Sequence, residues 1–241
     1  MKLIKLNAID STNEYIKKIK TFVPDKLFCV YTYNQKQGKG QRANIWHSEP
    51  NKNLCISFCL KPTHKNSKFT SFKLNMLVSI ILLEFFKKLK IPNLTIKWPN
   101  DILSADKKIS GILIESTIKS NKINDYIIGL GLNINQEKFN NLLNANSIKN
   151  ITGINYDLNV IANSLIKTFE DFDEKLIKYS DEEIKIKYLK NLYGLNSPIE
   201  FFHNGEKLAG KIADVLSDHK IKLIIDDKEK IFDSAEIKLI F

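Results

Sequence analysis

The sequence has 241 residues, 43% of them hydrophobic, which suits one mid-sized domain or a larger domain with a small appendage. Its net charge is +10, but the surplus is almost all lysine spread along the chain, so charge alone gives weak support for a nucleic-acid-binding module. No apolar run of about 18 residues and no signal-peptide pattern occur, which excludes a membrane-spanning helix and predicts a cytoplasmic protein.

Three cysteines lie in apolar, strand-like segments: Cys29, Cys55 and Cys59. An odd number without a Cys-x-x-Cys pair predicts free, buried thiols. The spacing of Cys55 and Cys59 leaves a metal site open, but no histidine or further cysteine stands at a supporting distance in the sequence. We therefore predict no metal held by the protein alone.

The first elements in chain order are a short strand at Lys2–Leu6 and a helix from Ser11 to about Lys20. Ser11 as N-cap and Glu14 three residues later form a capping-box pattern. Residues 11–13 either only cap this helix or, together with its N-terminus, face a ligand. The sequence alone leaves both possibilities open.

Residues 35–46 form a glycine loop with the clearest chemical signal in the chain. Gly38 and Gly40 allow the backbone to approach a ligand closely, and Lys39 and Arg42 add positive charge. Residues 27–33 before the loop are β-branched and aromatic, which predicts a strand that ends at it. Such a loop suits a phosphate or a carboxylate. A turn that is merely rich in glycine and lysine is the alternative.

Gly38, Gly40 and Ala43 also fit the dinucleotide-binding pattern G-x-G-x-x-A. That pattern needs a helix at the glycines and an acidic residue about 20 positions later. Residues 44–51 lack a helical period and contain a proline, and residues 60–64 contain no acid. We therefore reject a dinucleotide-binding fold.

The middle of the chain alternates strands and helices. A strand at residues 53–60 precedes a strongly amphipathic helix at residues 72–90. A short strand then leads into Trp98-Pro99-Asn100-Asp101, and a hairpin through residues 104–107 returns along residues 108–115. The next predicted strand covers residues 126–135, where Gly129 and Gly131 let another group approach closely.

The last hundred or so residues divide at a Gly- and Pro-containing boundary, residues 194–198. Before the boundary we expect a surface loop at residues 140–150 and helices at residues 158–179 and 181–193. After it, the predicted strands are residues 199–202, 207–215, 221–225 and 229–232. These short strands predict a small barrel-like appendage.

Three stretches stand in an order that resembles the biotin protein ligases, or biotin–[acetyl-CoA-carboxylase] ligases. They are Ser-Thr-Asn at residues 11–13, the glycine loop with Trp46 followed by Asn53-Leu54, and Lys97-Trp98-Pro99-Asn100-Asp101 followed by residues 108–115 and 129–135. The resemblance extends from Ser11 to the C-terminal strands. Together with the predicted elements, it implies an α+β fold: a class II synthetase-like catalytic domain with a central mixed sheet and flanking helices, residues 1–194, and a small SH3-like β-barrel, residues 195–241.

The resemblance implies a two-step reaction. Biotin and ATP, with Mg²⁺ entering on the nucleotide, give biotinyl-5′-AMP and pyrophosphate. The biotinyl group then passes to one lysine of a biotin carboxyl carrier protein, part of acetyl-CoA carboxylase or a related carboxylase. We expect no DNA or membrane partner, and a monomer or homodimer. Some members carry an N-terminal DNA-binding domain, and because none precedes Ser11 here we expect a ligase without a repressor role.

The resemblance also assigns residues to the site. The expected biotin-binding residues are Ser11, Thr12, Asn13, Gln35, Gly38, Lys39, Gly40, Gln41 and Lys97. The expected ATP-binding residues are Lys39, Arg42, Trp46, Asn100, Lys108 and Asn133. The expected catalytic residues are Lys97, Lys39, Arg42 and Asp101. Lys97 holds the carboxylate and then the mixed-anhydride oxygens, and Asp101 orients or deprotonates the acceptor lysine.

The glycine loop departs from the family's usual Gly-Arg-Gly-Arg-Arg-Gly, since it reads Gly-Lys-Gly-Gln-Arg-Ala here. Lys39 keeps the charge without the guanidinium fork, and Gln41 removes a charge, which weakens the expected hold on the adenylate. Ala43 indicates that its position does not require positive φ.

The nearest alternative function is that of a lipoate–protein ligase, which shares the adenylation chemistry. A basic nucleic-acid-binding module is the more distant alternative.

Overall fold

We describe a computed structural model of the protein, in which residues 1–62, 70–119, 122–140 and 142–241 are described. The strands are β1 (Lys2–Leu6), β2 (Leu27–Thr32), β3 (Gly38–Lys39), β4 (Ile45–Trp46), β5 (Leu54–Leu60), β6 (Leu94–Lys97), β7 (Asp101–Ser104), β8 (Lys107–Lys119), β9 (Lys122–Leu132), β10 (Pro198–His203), β11 (Glu206–Val215), β12 (Ile221–Ile225), β13 (Lys228–Phe232) and β14 (Ile237–Leu239). The helices are α1 (Thr12–Ile19), α2 (Ser71–Lys88), α3 (Ile148–Thr152), α4 (Leu158–Thr168), α5 (Phe172–Lys178) and α6 (Asp181–Lys190).

A seven-stranded mixed sheet organises the molecule, in the order β1-β2-β5-β9-β8-β7-β6. β1 and β2 run parallel, and the other neighbouring strands pair antiparallel. The interior strand β5 is buried along its whole length, as expected for a strand covered on both faces. The predicted α+β architecture with a central mixed sheet is confirmed.

Helix α2 supplies the largest apolar face against this sheet. Leu74, Val78, Leu82 and Phe86 recur every four residues, and each has a side chain with 0% relative exposure. The Thr70 hydroxyl caps the helix by accepting from the Lys73 backbone N–H at 3.1 Å. The predicted helix at residues 72–90 is confirmed, with its first residue at 71 and its last at 88.

Helix α1 begins where the sequence predicts. Ser11 Oγ accepts from the backbone N–H of Glu14 at 3.4 Å, so Ser11 is the N-cap. The second half of the predicted capping box is wrong, because the Glu14 carboxylate pairs with Lys17 and Lys39 at 2.8 and 3.0 Å instead. Residues 11–13 are buried at this helix start.

The predicted single helix over residues 158–179 is wrong, since the chain forms α4 and α5 with a break between them. The Phe169 ring at this break stacks on Phe58 with centroids 4.2 Å apart, and Phe172 stacks on Phe169 at 5.3 Å. The apolar spacing suits one continuous helix. Stacking of the three rings in the core overrides that local preference.

Two other boundaries differ from prediction because the chain bonds to strands of the large sheet. The last predicted helix ends at Lys190, and Tyr193 N donates to Ile96 O at 2.8 Å. The predicted loop at residues 140–150 includes the start of α3, and Lys108 N donates to Asn144 O at 2.7 Å. Asn141 lies outside the described residues.

The C-terminal residues form a separate five-stranded sheet in the order β13-β12-β11-β10-β14, with every pair antiparallel. The four predicted strands are confirmed. β14 has three residues and escaped prediction. The interior of this sheet is apolar, with the side chains of Phe201, Ile212 and Leu223 at 0% exposure.

The three cysteines are free and buried, as predicted. Burial raises the pKa of the Cys29, Cys55 and Cys59 thiols to about 12, which keeps them protonated near neutral pH.

Among the described helices, none combines the length and apolar character that a membrane crossing requires.

Candidate active site

One cavity of about 1160 Å³ opens between the large sheet, the glycine loop and the C-terminal sheet. It gathers residues that are far apart in the sequence. The predicted site residues that line it are Ser11, Thr12, Asn13, Gln35, Lys39, Gly40, Gln41, Arg42, Trp46, Lys97, Asn100, Asp101, Lys108 and Asn133. The structure therefore brings these predicted residues together around one cavity.

Gly38 is the predicted site residue that lies behind the cavity wall. It pairs with Trp46 in the β3–β4 ribbon, and a Cβ on it would lie 2.5 Å from the Trp46 carbonyl oxygen. The same Cβ would lie 2.6 Å from Gln35 Nε2. Glycine is required here because two lining residues pack against its backbone.

The start of α1 forms a polar floor. The Thr12 backbone N–H donates to Gln35 Oε1 at 2.9 Å. Ser57, in the middle of β5, places its hydroxyl oxygen 2.6 Å from both Thr12 Oγ1 and Asn13 Oδ1. Its side chain is fully buried. A Cβ at Gly129 would lie 2.3 Å from Asn13 Oδ1, so this glycine makes room for the Asn13 amide.

A second layer supports that floor. Asn13 Nδ2 donates to Glu115 Oε2 at 2.8 Å, and Lys17 Nζ lies 2.7 Å from Glu115 Oε1. Sequence reasoning did not select Ser57 or Glu115 for the site. A serine inside an otherwise apolar buried strand was the available signal, because a buried hydroxyl needs a partner.

Lys97 and Asp101 occupy the hairpin between β6 and β7, where they are paired residues. Lys97 Nζ lies 3.8 Å from Asp101 Oδ2, while Lys108 Nζ lies 2.7 Å from Asp101 Oδ1. Burial lowers the pKa of Lys97; Asp101 opposes this shift, and Lys108 and Lys238 add to it. The Lys97 ammonium in the cavity is thus desolvated, and it shares the Asp101 carboxylate with Lys108, which lies closer to it.

Trp46 lies flat against two glycines of the sheet. A Cβ at Gly131 would lie 2.3 Å from Trp46 Cε2, and one at Gly111 would lie 3.0 Å from Cζ3. Lys108 Nζ lies 5.4 Å from the ring centroid, within range for a cation–π contact. Trp46 Nε1 is buried and has no hydrogen-bond partner among the described residues. An indole held in this way provides a flat surface beside a positive charge.

Lys39 and Arg42 of the glycine loop are paired at the cavity rim. Lys39 Nζ lies 3.0 Å from Glu14 Oε1, and Arg42 Nη2 lies 2.9 Å from Asp233 Oδ1. Arg42 also donates to the Ser234 backbone and hydroxyl oxygens. The loop's non-glycine residue with positive φ is Arg42, at 55°. In this arrangement the loop is tied to α1 on one side and to the C-terminal sheet on the other.

Asn100 and Asn133 use their amide N–H groups to hold the cavity wall. Asn100 Nδ2 donates to Ile112 O at 2.6 Å, and Asn133 Nδ2 donates to Asn146 O at 3.1 Å. Asn133 also receives a backbone bond from Ile148 N at 3.1 Å. Both side chains therefore order the loops around the cavity as well as lining it.

The C-terminal sheet supplies a wall that sequence reasoning did not predict. Lys97 Nζ lies 4.4 Å from the centroid of the Phe241 ring, and Lys238 faces the same cavity. Trp98 Nε1 donates to His219 O at 3.0 Å, which joins the two sheets beside the site. These contacts link residues more than 100 positions apart, and no motif marked them.

Comparison with known proteins places this geometry in a family. The profile of the biotin/lipoate A/B protein ligase family matches residues 6–133, more than half of the chain. The chain belongs to this family. The matched region includes α1, the glycine loop, the Lys97–Asp101 hairpin and Asn133.

Members of this ligase family from several organisms resemble the chain. The bifunctional ligase/repressor BirA of Escherichia coli is 27% identical over 226 residues, which cover 93% of this chain and 63% of that protein. Biotin–protein ligase 2 of Arabidopsis thaliana is 31% identical over 143 residues, which cover 57% of this chain and 42% of that protein. The chain thus spans less than two thirds of the length of these curated relatives.

A solved structure agrees over the whole chain. The biotin protein ligase of Aquifex aeolicus in complex with biotin and ATP has a TM-score of 0.78 and 24% identity. The match covers 99% of this chain and 98% of that one. It establishes that the fold is that of a biotin protein ligase.

Proposed function

We propose that the protein is an ATP-dependent biotin–protein ligase. It activates biotin as biotinyl-5′-AMP and transfers the biotinyl group to a lysine of a biotin carboxyl carrier protein. The observation that carries this proposal is one cavity with a polar floor at Thr12 and Gln35 and a buried ammonium at Lys97. Membership of the biotin/lipoate ligase family supports it. The proposal concerns the ligase activity alone.

The polar floor favours biotin over lipoate. The ureido ring of biotin offers two N–H donors and one carbonyl acceptor, whereas the dithiolane ring of lipoate offers neither. Ser11, Thr12 and Ser57 are buried around the floor, and Gln35 completes it. A dithiolane there would leave polar groups without partners, and a site built for hydrogen bonding rejects such a ligand strongly.

The residues divide between two ends of the cavity. At the floor, Ser11, Thr12, Asn13 and Gln35 bind the ureido ring, with Gly38 holding Gln35 in place. The glycine loop closes over the adenylate through Lys39, Gly40, Gln41 and Arg42. Trp46, Asn100, Lys108 and Asn133 surround ATP. This division follows the contacts of Trp46 with Lys108 at one end and of Thr12 with Gln35 at the other.

Lys97 carries the chemistry between the two ends. A biotin carboxylate oxygen attacks the α-phosphorus of ATP, and the bond from that phosphorus to pyrophosphate breaks. A desolvated ammonium fixed beside the reacting oxygens stabilises the charge that develops there. The acceptor lysine amine then attacks the acyl carbon, the bond from that carbon to the phosphate oxygen breaks, and AMP leaves as the amine loses a proton. Asp101 orients Lys97 and Lys108, since both ammonium groups lie beside its carboxylate.

The loop cations must change partners during this cycle. Lys39 and Arg42 are paired with Glu14 and Asp233 at the rim. Exposed ion pairs of this kind contribute at most about 1 kcal/mol, so a phosphate with several negative charges displaces them easily. The loop is thereby released from its rim contacts when the anionic substrate enters.

Magnesium fits this cavity as an ion that ATP brings. No three His, Cys, Asp or Glu side chains of the described ranges gather into a metal site. Asp101 and Glu236 are the carboxylates among the described lining residues. One or two carboxylates plus phosphates and water suffice for Mg²⁺. The ion supplies charge neutralisation at the phosphates, and the protein residues orient the reactants.

The domain organisation and compartment belong to the same proposal. Residues 1–194 form the catalytic domain and residues 195–241 an SH3-like barrel, for which the register shift between Ile212 and Asp214 in β11 supplies a bend. Three free buried cysteines fit a reducing compartment such as the cytoplasm. The partner is the carrier domain of acetyl-CoA carboxylase or a related enzyme, and the ligase acts as a monomer or homodimer.

The test is transfer to a purified biotin carboxyl carrier domain in the presence of ATP, Mg²⁺ and biotin, followed by intact-mass spectrometry. The expected result is a single added biotinyl group on the carrier. A carrier with its acceptor lysine changed to arginine is the matched control and should stay unmodified. Modification of a lipoyl domain by lipoate, with the biotin carrier untouched, would replace the proposed substrate.

A further inference from the structure

A chain of polar contacts links the cavity floor to two residues that do not line the cavity. Thr12 and Asn13 line it, and Ser57 and Glu115 lie behind them. The chain runs from Glu115 to Asn13 at 2.8 Å, from Asn13 to Ser57 at 2.6 Å, and from Ser57 to Thr12 at 2.6 Å. Each hydrogen bond in this series determines which group of the next residue donates its proton.

The carboxylate of Glu115 sets the direction of these hydrogen bonds. An ionised carboxylate only accepts, so the group of Asn13 that faces it is the donating Nδ2 amide. Asn13 Oδ1 therefore faces Ser57 and only accepts, which means that the Ser57 hydroxyl donates its one proton to Asn13. The 2.6 Å contact between Ser57 and Thr12 must then use the Thr12 proton.

The consequence for the cavity is a fixed donor and acceptor pattern. The Thr12 hydroxyl also lies 3.3 Å from Gln35 Oε1, but the 2.6 Å contact with Ser57 is much shorter and takes its one proton. The Thr12 hydroxyl can therefore only accept from a ligand. Gln35 Oε1 already accepts from the Thr12 backbone N–H, so Gln35 turns its donating Nε2 amide to the other side. No hydrogen bond to Gln35 Nε2 is found among the described residues. The floor thus offers an acceptor at Thr12, while Gln35 Nε2, which packs beside Gly38, keeps its donating capacity free among the described residues.

We propose that Glu115 and Ser57 are positioning residues that fix the Thr12 hydroxyl as an acceptor for a ring N–H of the ligand. This inference rests on the proposed function, because a cyclic urea supplies both the N–H for Thr12 and the carbonyl for Gln35. An acceptor at Thr12 matches the N–H of a cyclic urea. It disfavours a ring that places an acceptor lone pair against the Thr12 hydroxyl.

The surroundings hold this pattern in place. Lys17 forms an ion pair with Glu115 at 2.7 Å, which fixes the position of the carboxylate beside Asn13. Ser57 is buried within β5 and pairs across the sheet with Gly129, whose missing side chain admits the Asn13 amide. A neutral amide at position 115 would remove the constraint, since it can face Asn13 with either its oxygen or its nitrogen.

The test uses Glu115→Gln and Ser57→Ala, with Lys17→Gln as the matched control that removes the ion pair but keeps the carboxylate. Calorimetry measures binding of biotin and of the two cyclic carbamate analogues, in which one or the other ring N–H is replaced by oxygen. For the unaltered protein, the analogue that puts oxygen against Thr12 should bind on the order of tenfold more weakly than biotin. That preference should shrink at least about threefold in both variants and persist in the control.

Loss of binding by the same factor for biotin and both analogues in Glu115→Gln would overturn the inference, because a merely structural role predicts that result. Thermal unfolding of each variant shows whether it folds, and if Ser57→Ala does not, the partly exposed Glu115→Gln carries the test. Failure of the unaltered protein to bind biotin at all would instead overturn the proposed function, and the hydrogen-bond assignment with it.

Discussion

Lys97 and Asp101 face each other as paired residues of the β6–β7 hairpin, yet the closer partner of the Asp101 carboxylate is Lys108. The ammonium of Lys97 is 3.8 Å from Asp101, and that of Lys108 is 2.7 Å from it. Lys97 is therefore buried with only part of one negative charge beside it. A buried cation in that position is suited to bind an anion, because the anion restores the pairing that burial requires.

Replacing Lys97 by alanine tests this role in catalysis. Loss of a preorganised charge donor should lower the rate of adenylate formation by on the order of 10²–10³. Single-turnover kinetics with saturating biotin and ATP give the rate of that step directly. A decrease below about threefold would remove Lys97 from the reacting centre.

Removing Lys97 should lower activity but raise the stability of the fold. Burial lowers the pKa of Lys97, so the unfolded chain binds more protons between the lowered value and the ordinary value of 10.5. The free energy of unfolding therefore rises with pH across that window, and below it the charged lysine costs stability. Lys97→Met should unfold at a higher temperature than the unaltered protein near pH 7. This gain should shrink toward about pH 10, as followed by circular dichroism, whereas a destabilised variant near pH 7 would contradict the account.

Two glycine substitutions separate the ends of the cavity. Gly131→Ala forces a methyl group to within 2.3 Å of the Trp46 ring, and Gly129→Ala does the same to the Asn13 amide. Overpacking of this kind costs about 1–3 kcal/mol. We expect Gly131→Ala to weaken ATP binding roughly 5- to 150-fold with biotin binding largely kept, and Gly129→Ala to do the reverse. Calorimetry with each ligand measures both. Equal losses of both ligands in both variants would mean that the cavity is not divided in this way.

The contact between Arg42 and Asp233 predicts the behaviour of the glycine loop. Asp233→Asn should speed trypsin cleavage after Arg42 several-fold, because the guanidinium loses its ionic partner on the C-terminal sheet. The free energy of unfolding should change by less than about 1 kcal/mol, since the pair is exposed. Asp214→Asn, which breaks an ion pair with Lys185 away from the cavity, is the matched control. An unchanged cleavage rate would show that the contact does not hold the loop.

Most of the site could be predicted from the sequence because its residues lie in short local patterns. Ser11 begins a helix, Gly38 and Gly40 mark a loop, and the segment from Lys97 to Asp101 is one continuous stretch. Each pattern fixes a local conformation, and the order of the strands then brings the three together. Local patterns of this kind can be recognised in a single sequence.

The parts that escaped prediction depend on contacts between distant segments. Glu115 looks like the last residue of an ordinary strand, and only its 2.8 Å bond to Asn13 gives it a place in the site. Phe241 and Lys238 reach the cavity because the C-terminal sheet packs beside Lys97. The break between α4 and α5 follows from ring stacking on Phe58. None of these leaves a periodic or spacing signal.

The most direct test of the whole account is release of pyrophosphate from ATP and Mg²⁺, measured in parallel with biotin, with lipoate and with neither. We expect release that requires biotin, with the lipoate reaction no faster than the reaction without either ligand. Lys97→Ala serves as the matched variant and should suppress the biotin-dependent release. Release that requires lipoate and does not respond to biotin would contradict the proposed function. It would show that the polar floor at Thr12 and Gln35 does not select biotin.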